Sequence, residues 1–334
     1  MNKLILPKPY SCGIFLTYRC SAKCKHCLYA SSPRWKDDFL SLENAEKIIK
    51  KLSEYLEPQE YITFNAGVHF SGGEPLLNLK LLVSLIKIAK IYKISPVLIE
   101  TNAYWAKDEK SCEVILKQLY DSGLDGILIS VNPFVVEYVN FKNIKLAVKK
   151  SIEIFGEGRV IVYQGMFYKL FNNIGLELKL NFSDFIKKYS TYLNYMELLV
   201  MGRTVYKLNN VFKKYPLESF LYENCIEEFK NPYHIHIDNY GNYIPSFCAG
   251  ISLNNVFENE NILEVNLKDC PILSALTKSM AELYYIAKQF GYTPLKDGYI
   301  SKCHLCLDIR KYIVSKTAEF KELRPTEYYT RIED

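Results

Sequence analysis

The stretch Cys20-Ser-Ala-Lys-Cys24-Lys-His-Cys27 places three thiols within eight residues, in the spacing C-x3-C-x2-C. A thiolate is a soft ligand that suits iron–sulfur clusters, zinc and copper(I). A structural zinc site normally closes with four protein ligands, and no fourth thiol lies nearby in the sequence. His26 could complete a zinc site, but it lies between two of the ligands and would be strained to reach the same metal. The spacing therefore favours a cubane cluster that three cysteines hold and that leaves one iron open.

The triad lies between a predicted strand and a predicted loop. Residues 13–18 form a short apolar run that is typical of a buried strand, and residues 28–32 have the composition of a loop. The strand, the cysteine spacing and the residues around Cys27 resemble the radical S-adenosylmethionine (SAM) enzymes, with His26 where the family usually has an aromatic residue. The resemblance implies that the open iron chelates SAM. It also implies that an electron from the cluster cleaves SAM to methionine and a 5'-deoxyadenosyl radical.

The composition is that of an ordinary globular protein, with 49% hydrophobic and 24% charged residues. The 334 residues suffice for one large domain and a smaller one. The net charge of +5 is small for this length, which argues against a nucleic-acid or membrane partner. No apolar run reaches the roughly 18 residues of a membrane span, and no signal peptide is recognisable. Ten cysteines without an export signal predict a cytoplasmic protein, in which grouped thiols are metal ligands more often than disulfides.

Apolar runs of strand length alternate with amphipathic helical segments between residue 13 and about residue 205. The predicted strands cover residues 13–18, 68–70, 96–99, 127–129, 160–163 and 196–200, and the predicted helices cover residues 41–56, 79–92, 112–122, 144–152 and 184–192. Strands that alternate with helices form parallel βαβ units. The resemblance implies an α/β fold with an open, partial (β/α)6 TIM-like barrel, and the six predicted strands match that number.

Glycine and polar residues follow these strands, at the edge where parallel barrels place their active sites. The stretch Ser-Gly-Gly-Glu-Pro at residues 71–75 follows the second strand, and its glycines allow the backbone to approach a ligand closely. The resemblance implies that Gly72, Gly73 and Glu74 belong to the family's GGEP motif, which holds the amino group of SAM. The third strand ends at Asn102, whose polar side chain we expect at the mouth of the barrel as a further cofactor-binding residue.

The fourth and sixth strands provide two more predicted SAM contacts. Ser130 ends the fourth strand, where the family uses a serine for the SAM carboxylate, and Asn132 replaces the Asp that the family often has two residues later. Arg203 follows Gly202 after the sixth strand, and the resemblance places its guanidinium near the SAM carboxylate, whose geometry it matches. The family's next residue, Ala, is Thr204 here. The alternative roles are a cap or turn for the polar residues and a surface salt bridge for Arg203.

The pattern changes beyond residue 206. Residues 234–245 alternate and contain a turn at Asn239-Tyr-Gly241, which predicts a β-hairpin. A helix at about residues 271–290 and a final helix from Asp308 follow. We expect structural roles for the three histidines in this part of the chain, His234, His236 and His304.

A second set of cysteines lies among these elements. Cys225 and Cys248 flank the hairpin, and Cys303 and Cys306 form a C-x2-C pair. This arrangement resembles the twitch domain, the short relative of the SPASM domain, and implies that these four thiols hold one auxiliary [4Fe–4S] cluster. The alternatives are a structural zinc site on the same thiols, Cys270 in place of Cys225, and a redox-active C-x2-C pair.

Together these features predict a radical SAM barrel in residues 1–205 and a twitch-like auxiliary cluster domain in residues 206–334. The resemblance implies an oxidoreductase or peptide-modifying enzyme whose radical takes a hydrogen atom from a peptide, a small alcohol or a sugar. It also implies an electron donor such as flavodoxin or ferredoxin. We expect the start of the chain so near the first strand to leave no room for an N-terminal peptide-recognition domain. The competing class is a non-catalytic iron–sulfur or zinc protein, an electron carrier or scaffold, which does not explain the glycine and arginine motifs.

Overall fold

The computed structural model describes residues 2–57, 63 and 65–334. In these residues the strands are β1 (Lys3–Ile5), β2 (Ser11–Thr17), β3 (Gly67–Gly72), β4 (Val97–Thr101), β5 (Gly126–Ser130), β6 (Val160–Tyr163), β7 (Ile235–Ile237), β8 (Tyr243–Pro245) and β9 (Glu264–Asn266). The α-helices are α1 (Leu42–Ser53), α2 (Leu79–Ile91), α3 (Glu109–Asp121), α4 (Phe141–Phe155), α5 (Gly165–Asn173), α6 (Phe182–Tyr189), α7 (Thr204–Lys207), α8 (Ile226–Phe229), α9 (Pro271–Lys278), α10 (Met280–Gln289), α11 (Lys302–Lys316) and α12 (Glu327–Arg331).

The chain forms two compact units. The first, called the sheet unit below, consists of Tyr10–Cys24 and Ser31–Glu197. The second, called the cysteine unit, consists of Lys25–Ala30, Leu198–Asp334 and the N-terminal residues up to Pro9. Among the described residues, the helices all lack the combination of length and apolar character that crossing a membrane requires.

A parallel sheet forms the centre of the sheet unit, with the strand order β6-β5-β4-β3-β2. Its register aligns Ile14 with Phe70, Phe70 with Ile99, and Ile99 with Ile127. All four side chains are fully buried, because β-branched and aromatic residues pack well in a parallel sheet that is covered on both faces. This arrangement confirms the predicted α/β fold class with a parallel central sheet.

Amphipathic helices follow the strands of this sheet. The helix α1 buries Ala45, Ile48 and Leu52 along one stripe, as the 3.6-residue period predicts. It begins after Ser41, whose side chain accepts a hydrogen bond from Asn44 N, the usual role of a serine N-cap. The local sequence therefore determines where this helix starts and which face it buries.

One strand prediction near the end of the sheet unit was wrong, and one helix was not predicted. Residues 196–200 were predicted as a sixth strand but have irregular backbone. Leu199 in this segment is 44% exposed, so its apolar run lacks the burial that a strand of a parallel sheet requires. The helix α5 was not predicted, and it begins where Gln164 adopts a left-handed backbone with φ of 64°.

The predicted β-hairpin in the cysteine unit is confirmed. The strands β7 and β8 pair antiparallel, with His236 opposite Ile244. Asp238 Oδ1 accepts hydrogen bonds from Tyr240 N at 3.0 Å and from Asn242 N at 2.9 Å. These bonds hold the turn, because an aspartate side chain readily accepts from backbone amides that follow it. A separate antiparallel pair is formed by β1 and β9.

The helix boundaries in the cysteine unit differ from those predicted. The single helix predicted at residues 271–290 is divided at Ser279, which is extended and caps α10 by accepting from Glu282 N at 3.3 Å. The helix predicted from Asp308 as the last one, α11, begins at Lys302, because the Ser301 side chain accepts from His304 N, and the helix α12 follows it. The C-x2-C pair therefore lies on the first turns of α11, where residues three apart share one face.

Candidate metal and cofactor sites

Cys20 lies beyond the end of β2, and hydrogen bonds hold both its backbone and its sulfur. Its amide donates to Ser32 O at 3.1 Å. Its Sγ accepts from Ala22 N at 3.4 Å and from Asn102 Nδ2 at 3.7 Å. Donors directed at a sulfur stabilise the thiolate, which is the form that binds a metal. The surroundings of Cys20 therefore fit a metal ligand, and Cys24, like Cys20, is partly exposed.

Glu74 is 1% exposed, and three donors engage its carboxylate. Thr101 Oγ1 donates to Oε1 at 2.8 Å, Leu76 N donates to Oε1 at 3.2 Å, and Asn102 N donates to Oε2 at 2.9 Å. Burial raises the pKa of Glu74 to about 7, and these hydrogen bonds oppose the rise. Glu74 thus joins the end of β3 to the end of β4 and positions the backbone of Asn102.

Gly72 and Gly73 approach the end of β2 too closely for a side chain. A Cβ on Gly72 would lie 2.5 Å from Thr17 O, and a Cβ on Gly73 would lie 1.8 Å from Arg19 O. Gly72 also has a φ of 105°, which favours glycine. The amides of Gly73 and Glu74 donate to Thr17 O and Arg19 O at 2.7 and 3.0 Å. These glycines therefore join two strand ends at the carboxyl edge of the sheet.

Ser130 is the last residue of β5, at the same edge of the sheet. Asn132, which follows it, is 1% exposed. Its Oδ1 accepts hydrogen bonds from Phe134 N and Val135 N, both at 3.0 Å. Asn132 therefore caps a turn, which was the alternative role considered for this position.

Gly202 and Arg203 hold the segment Lys25–Ala30, which carries Cys27, within the cysteine unit. Arg203 N donates to Cys27 O at 3.0 Å, and Arg203 Nη2 donates to Ala30 O at 2.6 Å. A Cβ on Gly202 would lie 2.8 Å from Cys27 O, so only glycine fits there. Arg203 is fully buried, and the alternative of a surface salt bridge is therefore wrong.

The cysteine unit contains a cavity lined by four thiols, those of Cys225, Cys248, Cys303 and Cys306. Two cations, Lys302 and Arg310, line the same cavity. Arg310 is 3% exposed and donates to Ala249 O at 3.1 Å and to Tyr329 Oη at 2.8 Å. A buried guanidinium beside several thiols favours their anionic form, so the donor set fits a metal centre that carries thiolate ligands.

Without a metal, burial outweighs the cations of this cavity and favours the neutral thiols. Burial raises the pKa of Cys248 to about 11 and the pKa of Cys303 to about 12, and Arg310 opposes both rises. Burial also raises the pKa of Cys225, and the neighbouring Cys306 thiol adds to that rise. A bound metal reverses the preference for the neutral thiol, because coordination removes the proton from a thiol. The thiols of this cavity therefore fit metal ligands that ionise when the metal binds.

Cys270, the rival ligand, does not line the four-cysteine cavity. It lines a different and largely polar cavity together with Asp269 and Glu322. Burial raises the pKa of Cys270 to about 11, and Glu322 adds to the rise. The structure therefore separates Cys270 from the cysteines that converge.

Sequence reasoning missed Arg310 as a residue of this site. Arg310 lies seven residues after Cys303 and four after Cys306 on α11, so the three side chains share a face of the helix. The helical period would have indicated this position if the start of α11 had been predicted at Lys302.

Comparison with known proteins agrees with the site in the sheet unit. A family model described as the Radical SAM superfamily matches residues 14–155. The matched stretch contains the cysteine triad and the Gly-Gly-Glu stretch. The similarity to the radical SAM superfamily therefore covers residues 14–155, which are less than half of the chain.

Three individual proteins are similar to this chain. YydG of Bacillus subtilis (strain 168), provisionally assigned to peptide biosynthesis, is 28% identical over 140 residues, which are 42% of this chain and 41% of YydG. The structure of BtrN in complex with AdoMet and 2-DOIA has a TM-score of 0.46 at 14% identity, over 83% of this chain and 90% of BtrN. The structure of native anSMEcpe with bound AdoMet has a TM-score of 0.44 at 13% identity, over 96% of both chains. The two structural likenesses carry no argument about chemistry.

Proposed function

We propose that the protein is a radical SAM enzyme that binds a [4Fe–4S] cluster through Cys20, Cys24 and Cys27. The observation that carries the proposal is the superfamily match, which includes these cysteines. When bound, the cluster supplies the electron that splits SAM into methionine and a 5'-deoxyadenosyl radical, which then takes a hydrogen atom from a substrate. The protein supplies binding, orientation and exclusion of water.

The residues that we propose to contact SAM have distinct roles. Gly72 and Gly73 allow the backbone to contact the amino group of SAM, and Ser130 and Arg203 contact its carboxylate. Glu74 acts as a positioning residue, because its carboxylate is engaged by three protein donors. Its Oε2 accepts a hydrogen bond from Asn102 N. This bond positions Asn102, whose side chain donates to Cys20 Sγ.

We infer a second [4Fe–4S] cluster in the four-cysteine cavity, held by Cys225, Cys248, Cys303 and Cys306. The four thiols in one cavity and the buried cation beside them support this proposal. Four protein ligands leave no iron open, so this cluster would not bind the substrate directly. It would instead accept the electron left on the substrate after hydrogen abstraction, or stabilise the cysteine unit.

We infer that the substrate is a peptide. The support is the similarity to YydG, which is confined to 140 residues. An electron donor such as flavodoxin or ferredoxin and a cytoplasmic location complete the proposal. Oxidation of a small alcohol or sugar is the alternative substrate class.

The decisive experiment measures cleavage of SAM. The protein is reconstituted anaerobically with iron and sulfide, and 5'-deoxyadenosine is quantified after incubation with SAM and dithionite. We expect 5'-deoxyadenosine only when both SAM and reductant are present. A cluster-loaded protein that forms none would be a non-catalytic iron–sulfur protein. The variant Cys112→Ala is the matched control, because this thiol belongs to α3 and to neither proposed site.

A second experiment separates the substrate classes. Short peptides encoded beside the gene are synthesised and compared with a panel of polyols and sugars as additions to the same reaction. A peptide substrate should increase the yield of 5'-deoxyadenosine and change in mass. Stimulation by a polyol but by none of the peptides would contradict the peptide proposal while leaving the radical SAM assignment intact.

A further inference from the structure

The hairpin of the cysteine unit carries two histidines on one face. His234 immediately precedes β7 and His236 lies within it, and side chains two residues apart on a strand point to the same side. Their Nε2 atoms are 3.3 Å apart, with the two rings at 87° to each other. The hydroxyl of Tyr29 lies 3.0 Å from His236 Nε2 and 3.2 Å from His236 Nδ1. Two nitrogens and one oxygen therefore converge within this unit.

The distance between the two nitrogens fits either a long hydrogen bond or a shared metal. Hydrogen bonds from N–H groups ordinarily have donor–acceptor distances of about 2.7–3.2 Å. Two nitrogens that each lie about 2.0–2.1 Å from one tetrahedral zinc ion are separated by about 3.3–3.4 Å. The 3.3 Å between His234 Nε2 and His236 Nε2 agrees with the second geometry.

A backbone contact orients the ring of His236 for ligation. Its Nδ1 donates to Ser246 O at 2.7 Å, so the lone pair of the ring lies on Nε2. Ligating histidines normally donate their second ring nitrogen to a carbonyl or carboxylate in this way. Ser246 has a φ of 47°, a strained conformation of the kind that accumulates at functional sites.

Burial disfavours the charged form of both imidazoles. Burial lowers the pKa of His234 to about 4 and lowers the pKa of His236 well below its ordinary value. The ring of Phe247 packs against both, at centroid distances of 6.0 and 5.7 Å. The pair is therefore set in partly apolar surroundings, where a metal competes with little water.

We propose that His234 and His236 bind a divalent transition metal ion, with zinc the best fit, and that the Tyr29 hydroxyl is its third ligand. Imidazole nitrogen and oxygen ligands suit zinc. The site is independent of the proposed radical chemistry, because it shares no residue with either set of cysteines.

Zinc binding can be tested on the cluster-loaded protein. The protein is equilibrated anaerobically with one equivalent of Zn2+ and desalted, and its zinc content and zinc-edge X-ray absorption are measured. We expect one zinc ion per chain with nitrogen and oxygen ligands at about 2.0–2.1 Å. Zinc with sulfur ligands at about 2.3 Å would mean that it occupies cysteines, and this result would overturn the proposal. Failure to retain zinc would overturn it as well.

Substitutions then test the individual ligands. We expect His234→Ala and His236→Ala each to weaken zinc binding by more than about 100-fold, because changes beside a ligand alone cost about 10–100-fold. The iron content should not change. His236→Gln, which keeps a polar side chain, is measured in parallel in case the alanine variant fails to fold. Wild-type zinc affinity in the histidine variants would overturn the proposal.

Tyr29→Phe removes only the proposed oxygen ligand and should lower the zinc affinity less than loss of either histidine. Tyr233→Phe is the matched control, because Tyr233 is 65% exposed and should leave the affinity unchanged. Equal affinities of Tyr29→Phe and the wild type would remove Tyr29 from the ligand set. A competing chelator provides the affinities in each case.

Discussion

The two sets of cysteines differ in how the chain assembles them. Cys20 and Cys24 are partly exposed and belong to one short stretch with the third thiol of the triad. In the second set Cys225 and Cys306 are buried, Cys248 and Cys303 are partly exposed, and three separate parts of the sequence contribute the four thiols. A centre that must meet SAM and an electron donor needs access, whereas a centre that transfers electrons or stabilises a fold can be enclosed. The comparison teaches that a local set can be recognised from spacing, while a dispersed set is recognisable only in the fold.

The largest expected effect follows from removal of the cysteine triad. Replacing Cys20, Cys24 and Cys27 together by Ala should abolish SAM cleavage and lower iron from about eight to about four per chain, the content of one cubane. Iron analysis and 5'-deoxyadenosine formation are the measurements. SAM cleavage at the wild-type rate in the triple variant would contradict the central assignment.

Single substitutions test the thiols of the four-cysteine cavity. Alanine at any one of Cys225, Cys248, Cys303 and Cys306 should remove about four irons per chain, because a cluster in the cavity would lose a ligand. Cys270→Ala is the internal control and should keep the full iron content, because Cys270 lines another cavity. Mössbauer spectra and zinc analysis of each variant are the measurements. If Cys270→Ala lost iron while Cys225→Ala kept its full iron content, Cys270 and not Cys225 would be the fourth ligand.

Arg203→Lys tests whether the Arg203 side chain contributes to SAM binding beside the segment that carries Cys27. Lysine lacks the planar fork of arginine, so we expect weaker SAM binding by about tenfold, the effect of losing one charged hydrogen bond. Equilibrium titration with SAM is the measurement, and Arg159→Lys, at an exposed position, is the matched control. Unchanged SAM affinity together with a lower melting temperature would mean that Arg203 stabilises the fold through its hydrogen bond to Ala30 O and does not contact SAM.

Glu74→Gln tests the pH dependence of the sheet unit. Burial raises the pKa of Glu74 from 4.5 to about 7, so its protonated form stabilises the folded state below pH 4.5. That contribution, on the order of 3 kcal/mol, is lost as the pH rises through 7. We expect the free energy of unfolding of wild type to fall relative to Glu74→Gln between pH 5 and about pH 8.

Denaturant titrations of the two proteins across this range provide the comparison. Glu157→Gln, an exposed glutamate, is the control and should leave the pH profile unchanged. Parallel profiles for wild type and Glu74→Gln would mean that Glu74 does not titrate in this interval.

The smallest expected effect concerns the sulfur of Cys20. Asn102→Ala removes one N–H donor to that sulfur, which should lower the midpoint potential of the proposed cluster. A hydrogen bond of about 1 kcal/mol corresponds to roughly 40 mV for a one-electron couple. Redox titration followed by electron paramagnetic resonance is the measurement, with the exposed Asn173→Ala as the control. An unchanged potential would mean that the Asn102 side chain does not influence the proposed cluster.

Much of the fold could be predicted, because burial and periodicity are local properties. The strand predicted at residues 160–163 coincides with β6, and the start of α1 follows its serine cap. The strand predicted at residues 196–200 failed because an apolar run does not specify whether the fold will bury it. The division of the helix at Ser279 was missed because a serine inside a helical pattern does not by itself indicate a break.

One candidate site could be predicted from local sequence, and the other could not. The spacing of the triad indicated a cluster because its three thiols are neighbours in the chain. The sequence supplied five cysteines for the second site, but only the fold separates Cys270 from the other four. The contacts of Arg203 with the backbone around Cys27 could not be predicted either, because they join residues far apart in sequence.

The four-cysteine cavity also bears on the resistance of the cysteine unit to proteolysis. A cluster on all four thiols would join the start of α8, the segment after β8 and the first turns of α11 into closed loops. Such cross-links restrict the unfolded chain, and longer loops restrict it more. The free energy of binding the cluster then adds to the free energy of folding of this unit. A chelator that strips the iron should therefore expose the cysteine unit to cleavage first, while the parallel sheet of the sheet unit remains protected.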